Sequence, residues 1–529
     1  MRHELSVLHV VLEDFSTLAS PLFARHGMTA ATVDSATASV PATPNLQRLA
    51  ARGALFRHAY AQAPICNPSR SSFMTGRRPS STGIFTNEDD FRSTVPASMP
   101  TLVDFLRATS PKAAVACASG SKLFHKACDH DAMGMDAEPA PVPDDLPAAV
   151  RRAARFVLRP LGPFSADNHR AQMAIGLLVR YARARRKFYV GVGLVETHVT
   201  PRPRVQICHE EVVPHDARRW AAHAPAGRWS EHLPPLVTWT NYDFWQVSTP
   251  AEQKRAIGMY YACATHVDRT IGALLDTVDA LELTNSTAIV VQGDHGFSLG
   301  AHGRWSKYNL YEEATRVPLI LAVPGKPAAV IDDVVEALDV LPTLLALWSG
   351  AAAGRAAAGR AVPSTKRAAL EGHSLLPLLA AHGTGGRHRG LRLRRSYARS
   401  ELHLPCGLGC AMLNQPYDGK PPGFTRTPTV GPVVLYYVRT AAWAYTATFR
   451  GKWPQPLRLL DEALFDAQAD PGELRNLAYT DAAAPTRWWL LQLVLREWTV
   501  TLVGPVNASR WERAEWLRKL THFRRNWWK

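Results

Sequence analysis

Short apolar runs that stop abruptly at charged residues set the pattern of this chain. "LSVLHVVLED" ends at Glu13 and Asp14, "AAVACASGSKLFH" leads to Lys122 and His125, "FYVGVGLVETH" ends at His198, and "STAIVVQGDHG" reaches Asp294 and His295. Each run is apolar at consecutive rather than alternate positions, which predicts strands buried on both faces of a parallel sheet. Between them, "TPNLQRLAARGALF", "SMPTLVDFLRAT" and "HVDRTIGALLDTVDAL" carry the spacing of amphipathic helices. Strands alternating with helices predict an α/β fold, with a large, mostly parallel central sheet and helices on both faces. In such sheets ligands bind beyond the carboxyl ends of the strands. All four runs deliver ionisable groups to that edge.

The pattern changes along the chain. Residues 1–350 read as the main α/β domain. Residues 351–375, opening with "AAAGRAAAGRAVPSTKRAA", read as a low-complexity linker or surface excursion. Residues 376–480 read as a smaller α+β subdomain. There "VVLYYVRTAAWAYTATFRG" alternates and predicts paired strands with a turn near Arg450 and Gly451. Residues 481–529 form a tail rich in tryptophan and arginine with a helical pattern. Its first part, 487–503, is predicted to pack on the body through its aromatics; the competing reading is a membrane-surface helix.

Composition narrows the classes. Hydrophobic residues make up 46% and charged residues 20% of the 529 positions, an ordinary globular balance. No apolar run reaches the length of a membrane span. The formal charge of +16 suits an anionic partner: nucleic acid, a sulfated or phosphorylated glycan, or a membrane surface. No nucleic-acid recognition motif accompanies it, so that partner is set aside. The basic stretches "RARRK" (183–187) and "RGLRLRR" (389–395) read as solvated faces. Seven cysteines leave at least one unpaired, and no zinc-type pair exists; Cys406 and Cys410 either form a short disulfide loop or stay reduced. "MRHELSVLHVVLED" offers no signal-peptide cleavage site and reads as the first strand, which implies an intracellular chain or a start further upstream.

The chemistry concentrates at a few positions. In "ICNPSRSSFMTGRRPS", Cys66 lies where a helix begins, Pro68 suits the first helical position, and Gly76 suits the helix end. Backbone N–H groups and the dipole at a helix start favour an anionic nucleophile or a bound anion. Glu13, Asp14, Asp294 and His295 form an oxygen-rich set suited to calcium or magnesium. Lys122 and Lys307 suit the oxygens of a tetrahedral anion, and Arg70 suits a forked grip on that anion or on the nucleophile. His125 and His198 are the candidate acid and base.

These residues resemble a known family. "CNPSRSSFMTGR" is similar to the sulfatase signature Cys-x-Pro-Ser-Arg followed by Thr-Gly-Arg/Lys. "TPNLQRLAARGALFRHAYAQAPIC", "DHGFSLGAHGRWSKY", "VEALDVLPTLLAL" and "LFDAQADPGELRNLA" extend the resemblance over roughly residues 5–480. Within the formylglycine-dependent sulfatases, of the alkaline-phosphatase superfamily, it looks most similar to iduronate-2-sulfatase. The resemblance implies a reaction and its parts. A formylglycine-generating enzyme would oxidise Cys66 to an aldehyde whose hydrate attacks sulfur. One calcium ion would lie on Glu13, Asp14, Asp294, His295 and residue 66. Arg70 would steady the hydrate, Lys122 and Lys307 would bind sulfate oxygens, His198 would protonate the leaving alcohol, and His125 would assist sulfate release. A sulfated sugar or glycosaminoglycan is the implied substrate, and a secretory, lysosomal or extracellular setting the implied compartment. Two positions depart from the family pattern: Glu13 replaces an aspartate, and Val195 stands where iduronate enzymes place a histidine. Two other readings stay open, a phosphonate or phosphodiester hydrolase of the same superfamily and a non-catalytic binder of sulfated glycans.

Overall fold

The computed structural model describes residues 5–23, 41–125, 143, 145–158, 166–198, 249–350, 370–382, 396–404, 432–452, 454–455 and 457–498. Most of the linker, the tail beyond Trp498, Cys406, Cys410 and "RGLRLRR" lie outside them. The strands, in chain order, are β1 (Ser6–Leu12), β2 (Ala54–Tyr60), β3 (Ala114–Cys117), β4 (Phe188–Leu194), β5 (Thr287–Gly293), β6 (Ser298–Leu299), β7 (Trp305–Ser306), β8 (Arg316–Val317), β9 (Leu319–Ala322), β10 (Ala329–Glu336), β11 (Tyr397–Leu404), β12 (Val433–Thr440), β13 (Trp443–Arg450) and β14 (Arg458–Asp466). The principal helices are α1 (Pro44–Ala50), α2 (Cys66–Thr75), α3 (Leu102–Thr109), α4 (Ala166–Arg183), α5 (Pro250–Ala280), α6 (Glu312–Thr315), α7 (Val340–Trp348) and α8 (Ala484–Glu497).

The central sheet runs β10-β2-β9-β5-β1-β4-β3, with β8 also on β2. It is mixed: β3, β4, β1 and β5 are mutually parallel, whereas β9 runs antiparallel to both β5 and β2. Register positions the site. Leu12 lies opposite both Leu194 and Gly293, so β1, β4 and β5 end level with one another. Their next residues therefore emerge side by side, about one strand spacing of 4.8 Å apart.

Although the strands read as continuous apolar runs, each divides its side chains between two cores. Leu8, Val10 and Leu12 join Val190, Val192 and the helices α4 and α5 on one face. Val7 and Val11 join Val115, Val290 and the helices α2, α3 and α7 on the other. His9 is buried among them with its Nδ1 2.9 Å from the Tyr189 hydroxyl. Burial lowers its pKa to about 4. The unfolded chain takes up this proton near pH 6.5 and the folded chain does not, so stability is full above that value and falls as pH drops toward 4. His9→Asn should reduce the stability lost between about pH 7 and pH 5 by roughly 2 kcal/mol, measured as the change in urea midpoint.

The C-terminal region is a four-stranded antiparallel sheet, β11-β12-β13-β14. Its alternation was legible, but the β12–β13 turn falls at Ala441 and Ala442; Arg450 and Gly451 instead open the connection to β14. One face carries α8, which buries Leu490, Leu491, Leu493 and Val494, and Trp498 packs on Tyr436 with ring centroids 4.5 Å apart. Each such aliphatic side chain contributes roughly 1.5–3 kcal/mol on burial. The other face packs Leu402, Tyr437 and Phe465 against Tyr60, Ile65, Leu310 and Tyr311 of the main domain. None of the described helices is long and apolar enough to cross a membrane.

Candidate active site

Asp14 leaves β1 with φ of 52°, a left-handed conformation that aspartate tolerates better than most residues. Three bonds hold this turn. The Asp14 N–H donates to Asp294 Oδ1 at 3.0 Å, the Tyr260 hydroxyl donates to the Asp14 carbonyl at 2.5 Å, and the Thr197 hydroxyl donates to the Glu13 carbonyl. The exits of β1, β4 and β5 are thereby tied together, with Tyr260 reaching in from α5.

Cys66 is the first residue of α2, two positions earlier than a proline-led start predicts; Pro68 sits third, still within the first turn, where N–H groups lack helical partners. Gly76 closes the helix with φ of 68°. The Cys66 thiol is buried at the centre of the cluster. Its Sγ lies 3.6 Å from Glu13 Oε1, 4.0 Å from Asp14 Oδ1 and 3.4 Å from His295 Nε2, and it accepts from Lys307 Nζ at 2.9 Å. Burial pushes the thiol up, but Lys307, Lys122 and His295 outweigh it and bring its pKa below the ordinary value. The helix start itself has few donors to give. The Asn67 N–H is taken by Asn87 Oδ1 at 3.0 Å, Pro68 has none, and the Ser69 N–H bonds the Ile65 carbonyl at 3.1 Å. The expected anion site at the helix amides is therefore not what the structure shows: the positive charge facing Cys66 comes from Lys307, Lys122 and His295.

The carboxylates face those cations closely. Lys307 Nζ donates to Asp14 Oδ1 at 2.8 Å, and Lys122 Nζ donates to Glu13 Oε1. Burial opposes the charge on Glu13, yet His198, Lys122, Arg70 and Lys307 together hold its pKa well below the usual range. Lys307 is held well above its own value, since Asp14, Cys66 and Glu13 outweigh the cost of burial. Arg70 is placed differently from its expected grip on the nucleophile. Its Nε and Nη2 lie 3.0 and 2.9 Å from Asp294 Oδ2, and its Nη1 donates to the Lys122 and Leu123 carbonyls. The guanidinium, fully buried, thus fixes Asp294 and the Lys122 segment.

Lys122 depends on a close approach. The segment after β3 crosses β4 at Gly193, where any Cβ would collide with the Lys122 backbone. Gly193→Ala should cost about 2 kcal/mol of stability in urea unfolding. The same substitution should loosen the pairing of Lys122 with Glu13, because the Lys122 backbone is displaced.

The two histidines differ. His198 is half-exposed, with Nε2 3.9 Å from both Glu13 Oε1 and Asp14 Oδ2. His125 is largely buried; desolvation, then the charges of Lys122 and Arg70, lower its pKa to about 3, so the ring is neutral. The loop bearing His198 is pinned by Asp167 of α4, which accepts from the Val195 and Glu196 N–H groups at 2.8 and 3.0 Å. Glu196 in turn lies 2.9 Å from His266. Asp167, Thr197 and Tyr260 escaped the sequence reading. Each acts on backbone far away in the chain, which leaves no local pattern to find.

Glu13, Asp14, Cys66 and His198 bring potential ligand atoms within 4.8 Å of one another, and so do Asp14, Cys66, Asp294 and His295. The donor set fits a divalent cation. His295 Nδ1 donates to the Gly296 carbonyl at 2.8 Å, which turns Nε2 toward Asp14 Oδ1, 3.2 Å away. Three buried carboxylates beside it favour a hard ion such as calcium.

All the residues singled out in the sequence therefore lie at or beside one buried cluster. A family profile described as Sulfatase matches residues 6–351. Human iduronate 2-sulfatase is 27% identical over 54% of this chain; the chain spans only 56% of that relative. Choline-sulfatase from Rhizobium meliloti (strain 1021) is 27% identical over 82% of this chain and 77% of its own. A solved 2-O GAG sulfatase has a TM-score of 0.61 at 17% identity, covering 94% of this chain and 93% of its own, so the fold is shared. With the profile spanning more than half of its length, the chain belongs to the sulfatase family.

Proposed function

We propose that the chain hydrolyses a sulfate ester on a sulfated sugar or glycan, with formylglycine made from Cys66 and one bound calcium ion. The observation that carries this reading is the convergence of Glu13, Asp14, His295 and Lys307 on Cys66 Sγ. Glu13, Asp14, Asp294 and His295 would hold calcium together with residue 66. The ion would supply positive charge beside the sulfate, and formylglycine a hydrated aldehyde hydroxyl as nucleophile toward sulfur.

The chain's own residues account for the rest. Lys122 and Lys307 now neutralise Glu13 and Asp14; once a cation engages those carboxylates, both ammonium groups become available to sulfonyl oxygens. Arg70 keeps Asp294 and the Lys122 segment in place. His198, at the half-exposed side, gives a proton to the departing alcohol oxygen. His125, neutral, takes the proton released as sulfate departs. Val195 occupies the place of the histidine typical of iduronate enzymes, so the reading stays at sulfated carbohydrates rather than iduronate. Two solved neighbours are described in complex with sugars, one with its substrate D-glucosamine-2-N,6-O-disulfate and one with k-i-k-neocarrahexaose, which supports a carbohydrate substrate.

Glu13 tests the metal part. It is one methylene longer than aspartate, and calcium tolerates variable ligand reach. Glu13→Asp should keep or modestly improve calcium affinity in calorimetry of the stripped protein, with turnover preserved. A wild type that binds no divalent cation while Glu13→Asp binds one would favour the non-catalytic reading. Activity on an aryl phosphonate far above that on an aryl sulfate would favour the hydrolase of phosphonates.

A further inference from the structure

A second cluster of ligand-type side chains lies apart from the catalytic carboxylates. His302, Glu313 and Glu473 are all buried and bring a ring nitrogen and two carboxylate oxygens within 4.8 Å of one another. His302 is 2% exposed, yet neither of its ring nitrogens makes a hydrogen bond. Its ring is fixed in orientation, stacked on Tyr311 at 3.9 Å between centroids and 10° between planes. Nε2 faces Glu313 Oε2 at 3.7 Å, too long for a hydrogen bond and suited to a shared ion between the two. Glu473 is oriented by the Glu312 N–H at 2.8 Å and the Tyr437 hydroxyl at 3.2 Å, the kind of outer support that metal-binding carboxylates receive.

We propose that His302, Glu313 and Glu473 form a second metal site, for zinc or a similar imidazole-binding divalent ion. One imidazole and two carboxylates suit zinc better than calcium, which prefers all-oxygen sites. The three ligands come from different parts of the chain. His302 follows the loop of Asp294 and His295, Glu313 belongs to α6, and Glu473 follows β14 in the C-terminal region. The ion would clamp the C-terminal region onto the loop that carries Lys307 five residues beyond His302. The site is independent of the proposed reaction, since it uses none of the catalytic residues.

The test is zinc binding to the full-length Cys66→Ala chain, in which no catalytic thiol competes, with calcium in excess to occupy the oxygen-rich cluster. After dialysis, metal analysis should find one zinc per chain, and zinc should raise the thermal midpoint. Glu313→Gln on that background should weaken zinc binding by about tenfold or more while leaving the calcium titration unchanged. Cobalt(II) in place of zinc should give a visible d–d band from a low-coordinate site, a readout that needs no variant at Glu313. Failure to retain zinc, absence of the cobalt band, or equal zinc affinity with and without Glu313→Gln would overturn the proposal.

Discussion

Replacing Cys66 with alanine should remove sulfate-ester turnover by about four orders of magnitude or more, with the fold intact. The thiol is the atom on which Glu13, Asp14, His295 and Lys307 converge, and alanine cannot become an aldehyde. Losing a nucleophile outright has effects of this order, because the surrounding groups then have nothing to activate. The cost in stability should be small, about 1 kcal/mol, since only one sulfur atom is removed and Lys307 keeps its bond to Asp14. Turnover of an aryl sulfate and the thermal midpoint, measured on the same preparations, separate the two effects. Equal activity in both proteins would end the mechanism.

Asp294→Ala should be damaging in both respects. Asp294 Oδ1 accepts from the Asp14 and His295 N–H groups, and Oδ2 faces the fully buried Arg70. Alanine leaves that guanidinium charged and buried without its carboxylate, a situation that costs about 3–5 kcal/mol. The carboxyl of Asp294 is held below its ordinary pKa, with His295 and Arg70 outweighing burial, so the lost charge is present at neutral pH. Calcium binding should disappear in calorimetry and activity with it. Asp294→Asn keeps the shape and the acceptor for the two N–H groups. With an NH2 group facing the Arg70 guanidinium it should recover only the part of the stability that comes from the two N–H bonds, and none of the metal affinity.

The parallel core was readable because its strands are short, largely apolar on both faces and followed by charged residues. β1, β4 and β5 close level with one another, and a ligand edge follows from that alone. The full width of the sheet was not readable. Ala54–Phe56 looked like the end of the helix begun at Pro44, whereas strand β2 begins at Ala54, after Gly53 packed against Ala322. The β12–β13 turn at Ala441 and Ala442 lacks the glycine or asparagine that usually marks one. In the site, residue types and strand ends pointed to the cluster, but not to who pairs with whom. Arg70 turned out to be committed to Asp294, and the lysines to Glu13 and Asp14, because buried charges find partners across the fold.

The most direct test of the account follows the residue at position 66 and the reaction together. The chain is produced with a formylglycine-generating enzyme, the peptide spanning Ile65–Arg70 is weighed by mass spectrometry, and sulfate release from a sulfated sugar is measured on the same samples. Activity should rise in proportion to the fraction of position 66 present as formylglycine and vanish where it remains cysteine. Full conversion without release of sulfate from any sulfated sugar or aryl sulfate, or undiminished release with Cys66 unconverted, would contradict it.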